Sequence, residues 1–181
     1  MTRTKHKLMD FLELCRKRFS TRKFSAQKID EQTLEHIMEC VRMAPSAVNR
    51  QPWKFIVVGS ESAKEKLVQC YDRQWFRSAP LYVICMKDTT NNWVRAFDDK
   101  PHGDIDLAIA IEHLCLSAAE CGIGTCWVCN FDPQRLNALF GQPGYEAVAI
   151  VPMGICGTKL CWKRKTEKNL RRNYRICLRT D

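Results

Sequence analysis

The chain reads as an α+β domain in which helices cover a central sheet. Three observations predict this. Short β-branched and aromatic runs recur between segments of helical period, the elements follow the order α, α, β, α, β, α, β, α, β, and 181 residues at 45% hydrophobic content suffice for about one domain with a real core.

The first helix is read from apolar residues at positions 8, 9, 11, 12, 14 and 15, from Leu8 to Arg18, with Asp10 and Glu13 on its outer side. Asp30 offers an N-cap for a second helix, whose Leu34, Ile37, Met38 and Val41 are spaced by threes and fours up to about Met43, ahead of Pro45. After the loop PSAVNRQPW, the run 54–58 (KFIVV) is a strand closed by Gly59, and Ser60 can cap a helix through Leu67 and Tyr71. Pro80 precedes LYVICM, a strand of the fully buried type. Residues 87–102 are polar and without period, long enough for a lid or a substrate-facing flap. From Gly103 to Cys121 a helix is apolar around most of its circumference, which places it at the centre of the domain or, as we favour, at a subunit interface. Gly122 and Gly124 end it, and TCWVCNF (125–131) is a third strand. Asp132 and Pro133 start a short helix to Phe140, and AVAIVPMGI (147–155) is a fourth strand.

Bulk composition narrows the function classes. No run of eighteen apolar residues occurs and the N-terminus is charged throughout, so a cytoplasmic chain without signal peptide is expected. Of the net charge of +9, residues 156–181 carry +7, which makes the basic character a property of a C-terminal tail (158–181) rather than of the body (1–157). A solvated arm or a local phosphate contact fits that better than a nucleic-acid-binding face. The eleven cysteines are odd in number, and Cys40, Cys85 and Cys115 fall inside apolar patterns, so they read as reduced packing residues rather than a disulfide framework.

Three segments carry candidate chemistry. In Arg18-Phe19-Ser20-Thr21-Arg22 two guanidiniums flank a hydroxyl where a helix gives way to a turn, a donor set suited to a phosphate dianion; a solvated basic helix end is the plainer alternative. In Pro45-Ser46-Ala47-Val48-Asn49-Arg50-Gln51-Pro52-Trp53 two prolines fix a loop bearing three neutral hydrogen-bonding side chains. That suits recognition of a polar heterocycle or polyol as well as an ordinary helix-to-strand connection. In the third, Gly122-Ile123-Gly124 closes a helix and opens a strand, the reverse of a dinucleotide fingerprint, so Gly122 is read as a helix C-cap. Cys121, Cys126 and Cys129, followed by Cys156 and Cys161, have the spacing of a plant-type iron–sulfur site. On a strand over 125–131, however, Cys126 and Cys129 point to opposite faces, and no metal is assigned. No histidine sits in a triad or metal-binding setting and no catalytic side chain stands out, as expected where a cofactor carries the chemistry.

Taken in order, RFSTR, APSAVNRQPWKF, AECGIGTCWVCNF and a closing strand ending in PMGI make the chain resemble the nitroreductase family of FMN enzymes, in its short single-domain form, from about Leu12 to Gly157. The resemblance implies a mostly antiparallel sheet flanked by helices, and a homodimer with two composite flavin sites. It implies flavin contacts from Arg18, Phe19, Ser20 and Arg22, with Arg22 as a charge stabiliser near N1 and C2=O. Pro45, Ser46, Ala47, Asn49 and Gln51 would reach the partner subunit's flavin. Cys126, Trp127, Val128 and Cys129 would lie against the isoalloxazine ring, with backbone groups near N5. A basic pair in the tail, best matched by Arg164 and Lys165, would complete the phosphate site, although the tail otherwise departs from the family pattern. The implied reaction is ping-pong: NADH or NADPH reduces FMN, and a nitroaromatic, quinone or similar electron-poor acceptor reoxidises it. Two rivals stand beside this, a flavin-binding or interaction module without turnover and a nucleic-acid binder acting through the tail.

Overall fold

The computed structural model describes residues 10–157; the expectations placed on Leu8, on the basic tail and on Arg164 and Lys165 lie outside the described residues. Helix α1 (Phe11–Lys17) ends where the Arg18 N–H reaches the Leu14 carbonyl, and it lies against α5 (Gly103–Glu120). None of its residues is buried, and Phe11 and Leu12 are exposed, so its apolar stripe is not spent on the core of its own chain. Helix α2 (Glu31–Arg42) starts as expected at Asp30, whose carboxylate accepts from the Thr33 N–H at 2.8 Å. A 3-10 turn (Ala47–Asn49) leads to β1 (Trp53–Val58). The Ser60-capped α3 (Glu61–Val68) is shorter than expected and is followed by a separate turn, α4 (Gln74–Arg77). Then come β2 (Leu81–Asp88), a two-residue-strand hairpin β3 (Val94–Arg95) and β4 (Lys100–Pro101) inside the segment expected to be an irregular loop, then α5, β5 (Ile123–Thr125), α6 (Pro133–Phe140) and β6 (Tyr145–Ile155).

Four strands form one sheet in the order β1-β2-β6-β5, every pair antiparallel. Alternation along β2 divides the core between its two faces. Val83 and Cys85 join Ile37 and Val41 of α2 and Leu107, Ile111 and Leu114 of α5; Tyr82, Ile84 and Met86 join Leu67 of α3, Phe76 of α4 and Leu136 of α6. Helices cover both faces, which is why LYVICM is apolar at every position rather than at alternate ones. Among the described residues no helix is long and apolar enough to cross a membrane.

Three expectations change. The strand read over 125–131 stops at Thr125. Beyond it the Cys126 N–H still reaches the Pro152 carbonyl, at 3.3 Å, but proline has no N–H to return, and pairing resumes only at the isolated Val128–Ile150 bridge. Helix α5 buries ten residues within its own chain, so its all-round apolarity is first a consequence of being the central core helix. Only a stripe that includes Ile105, Ala108, Ile109 and Leu116 stays partly open. Of the described cysteines, eight are free thiols, Cys85 and Cys115 among the most buried, but Cys156 is disulfide-bonded. At the end of α5, Gly122 takes φ 78° and its N–H reaches the Ala119 carbonyl, the left-handed helix stop expected of it.

The sheet edge fixes the segment after α1. The Thr21 N–H donates to the Thr125 carbonyl at 2.8 Å, Ser20 bridges Thr125, and Phe24 bridges Cys156. Thr21 presses so close to Gly124 that a Cβ there would stand 2.5 Å from Thr21 Oγ1 and 3.0 Å from Thr21 Cβ. Because Thr21 is itself buried, Gly124→Ala is expected to lower stability by about 1–3 kcal/mol, the usual range for overpacking. Urea denaturation reads this as a lower midpoint at unchanged slope; an unchanged midpoint would show that the 20–24 segment slides freely along β5.

Candidate functional site

The structure sets the RFSTR motif directly on the β5 edge, next to Thr125 and the buried Cys126. Burial pushes the Cys126 thiol up, while Arg22, a hydrogen bond from Ser20 and Arg18 act in the opposite direction. Net, Cys126 stays a neutral thiol above its ordinary range, which makes it a packing residue and not a nucleophile. Arg18 is partly buried and has its Nε 3.8 Å from Glu112 Oε1 on α5. Arg22 is exposed, with its guanidinium carbon 5.8 Å from the centre of the Trp75 ring. The crevice beneath the motif, bounded by Arg18, Phe19, Thr21, Ile123, Gly124 and Thr125, has no room for a water molecule, so any phosphate held here sits on the surface. A cleft of about 620 Å³ elsewhere, reached from Phe24, Lys28, Glu61 and Arg77, is lined by none of the motif side chains predicted to bind.

The second segment is strained. Val48, Asn49 and Gln51 all occupy the left-handed region, at φ 45°, 56° and 50°. Each costs of order 1 kcal/mol or more, and for the β-branched Val48 the conformation is an outlier that surrounding contacts must impose. Some of those contacts are local. Ser46 Oγ accepts from the Gln51 N–H at 2.8 Å, Gln51 Nε2 donates to Asn49 Oδ1 at 2.9 Å, and Pro45 and Pro52 bracket the turn. Its far end is held to the sheet, the Gln51 carbonyl accepting from the Trp53 N–H of β1 and the Pro52 carbonyl from the Asp88 N–H of β2, and two further bonds tie its middle to other elements. The Ala47 N–H donates to Asp106 Oδ1 of α5 at 2.9 Å, and Arg50 Nη1 donates to the Asn92 carbonyl at 3.2 Å. Asn49 and Gln51 remain exposed, Ser46 and Ala47 half-buried. An inverted, prestressed loop displaying two carboxamides is built to present them.

The third segment divides between the two cores. Cys126 and Val128 are buried, Trp127 packs against the α2–α5 side, and Cys129 is exposed. The Cys126 and Val128 amides are taken by Pro152 and Ile150, which leaves those of Trp127 and Cys129 as the ones not given to β6. Two buried donors, Thr21 Oγ1 and Trp127 Nε1, have no hydrogen-bond partner among the described residues. Among the described residues no three His, Cys, Asp or Glu side chains converge on a possible metal position.

Glu112, Trp75 and Asp106 are site neighbours that the sequence reading missed. Asp106 and Glu112 left a signal, as acidic residues among the apolar positions of α5, but nothing in the sequence tied either to the motifs. The two motifs also reach α5 at different places. Arg18 meets Glu112 and Ala47 meets Asp106, six residues apart, which is about 9 Å along the axis and about 120° around it. A single chain thus carries them on different sides of its core helix.

Comparison with known proteins bears on this arrangement. The family model described as the nitroreductase family matches residues 15–71 and 66–155. A nitroreductase family protein of Clostridium difficile 630, known from its crystal structure, superposes with a TM-score of 0.79 at 34% identity over 83% of this chain and 86% of that one. A Methanothermobacter thermautotrophicus protein with the provisional name NADH dehydrogenase/NAD(P)H nitroreductase is 29% identical over 152 residues, 81% of this chain and 77% of that protein. The FMN-dependent nitroreductase of Clostridium difficile R20291 has the same fold, with a TM-score of 0.71 at 23% identity over 88% of this chain and 94% of that one.

Proposed function

Since the chain belongs to the nitroreductase family, we propose that it is an FMN-dependent oxidoreductase that takes reducing equivalents from NADH or NADPH and delivers them to an electron-poor acceptor such as a nitroaromatic or quinone. It works as a homodimer with two flavin sites, each built from both chains. The observation that carries this reading is the seating of the Arg18–Arg22 motif along the β5 edge, where Ser20 bridges Thr125 and the Thr21 N–H donates to the Thr125 carbonyl. Two guanidiniums and a hydroxyl on an open surface form the donor set for a phosphate monoester.

FMN, when bound, would supply the hydride chemistry. The chain would hold and orient it. Arg18, Ser20 and Arg22 would hold the phosphate, and Arg22 would also supply positive charge to the N1 and C2=O side of the ring. The Trp127 or Cys129 amide, not given to β6, would be the backbone donor toward N5, and Cys126 and Val128 anchor that segment. Phe19 of the same chain would line the site, and from the other chain Ser46, Asn49 and Gln51 would complete the polar contacts, with Pro45 and Ala47 beside them. The dimer would be sealed by the open stripe of α5 (Ile105, Ala108, Ile109, Leu116) and by Phe11 and Leu12 of α1. Arg164 and Lys165 are the proposed further phosphate contacts.

Purified protein is expected to be yellow and to release noncovalent FMN at about one per chain, identified by mass, because the donor set holds a single phosphate. It should oxidise NADH or NADPH faster when nitroaromatic or quinone is added. A colourless protein that takes up no added FMN overturns the proposal, and bound FMN without acceptor-dependent oxidation replaces it with the flavin-binding module.

A further inference from the structure

Asp106 stands out as a charged residue with no place in the sheet or the helix packing. It lies in the first turns of α5 at 3% exposure, Oδ1 accepting from the Ala47 N–H at 2.9 Å and Oδ2 buried with no hydrogen-bond partner among the described residues. A carboxylate kept in a core at half its bonding capacity is a standing cost, offset only in part by the helix N-terminus beside it. Leucine or alanine would pack there without that cost. What the carboxylate does provide is one strong acceptor for one amide, and that amide opens the strained turn in which Val48, Asn49 and Gln51 are forced into the left-handed region.

We propose that Asp106 is a positioning residue that locks the 46–51 loop in its inverted shape and so sets Asn49 and Gln51 where the partner subunit's flavin needs them; this rests on the composite flavin site proposed above. The remaining contacts of the loop do not suffice. The Ser46–Gln51 and Asn49–Gln51 bonds close the turn on itself and would move with it, the Arg50 bond to Asn92 is made by a long exposed side chain, and the Trp53 and Asp88 amides hold only the far end of the loop, at the Gln51 and Pro52 carbonyls. The Asp106 bond alone ties loop backbone to a buried group on the central helix. Without it the left-handed residues can relax, and the preorganisation that makes binding cheap is lost.

The test compares wild type with Asp106→Ala and Asp106→Asn, the latter keeping an acceptor oxygen in the same place. Two quantities are read: amide hydrogen exchange of Ala47 and its neighbours in flavin-free protein, and the Kd for added FMN from flavin fluorescence. In Asp106→Ala, exchange should accelerate at residues 46–51 while the sheet and α5 stay protected, and FMN binding should weaken about tenfold or more, the scale of a hydrogen bond to a charged group. Asp106→Asn should return both readings to near wild type, which a general packing defect would not do, and it keeps the test alive should the alanine variant fail to fold. Unchanged exchange at Ala47 in Asp106→Ala overturns the tether. Accelerated exchange with unchanged FMN affinity overturns its role in positioning. A wild type that takes up no FMN sinks the flavin reading and the positioning role with it, and the exchange arm then shows separately whether the tether exists.

Discussion

The double variant Arg18→Ala/Arg22→Ala is expected to purify without flavin and to bind added FMN at least about a hundredfold more weakly than wild type. Each charge-assisted hydrogen bond to a phosphate is worth about 1.5–3 kcal/mol, so either single variant should lose about tenfold or more. The two arginines would share one phosphate, so their losses need not add, and about a hundredfold is a floor rather than a sum. The fold should survive. Arg22 is exposed and has a ring contact at 5.8 Å, and Arg18 gives up only a 3.8 Å pair with a half-exposed Glu112; pairs of that kind contribute about 1 kcal/mol or less. Thermal unfolding of the flavin-free proteins should therefore nearly coincide while their flavin titrations separate widely. Equal flavin affinity in wild type and double variant would mean that the motif is a solvated helix end and that the phosphate binds elsewhere.

The features legible in the sequence are those with local causes. The caps at Asp30, Ser60 and Asp132 and the glycine stop at Gly122 are written in the residues themselves, and all four stand where they were expected. What escaped was set by residues far along the chain. The strand after Thr125 loses its ladder to Pro152, on a different strand. Helix α5 is apolar all round because α2 and the sheet enclose it, and periodicity cannot distinguish that from a subunit interface. The inverted loop is the extreme case. Glycine would have advertised its conformation, whereas Val48 conceals it, because a β-branched residue at positive φ is imposed by tertiary contacts such as the Asp106 tether. At the candidate site, the Arg18–Arg22 motif was legible as residues, but it runs as an extended segment along β5 and not as the expected turn. Their neighbours Glu112 and Trp75 belong to other elements, and nothing in the sequence tied them to the motif.

Mixing two inactive variants is expected to restore activity. Arg22 and Asn49 belong to motifs that reach α5 about 120° apart around its axis, so under the proposed arrangement one chain supplies Arg22 to a flavin and the other chain supplies Asn49. Arg22→Glu puts a negative charge beside the phosphate and the reduced ring. Asn49→Arg replaces a carboxamide that pairs with Gln51 by a longer cation. Each homodimer should be inactive, since each of its two sites carries one defect. In a mixed dimer the defects fall together in one site, and the other receives wild-type Arg22 from the Asn49→Arg chain and wild-type Asn49 from the Arg22→Glu chain. Unfolding and refolding equal amounts together makes about half the dimers mixed, each with one intact site of two, so closed two-fold symmetry predicts recovery of roughly a quarter of wild-type activity. Flavin content should recover in the same proportion. If subunit exchange is verified by tagged chains and activity stays at zero, Arg22 and Asn49 serve the same chain's site, and the composite arrangement is wrong.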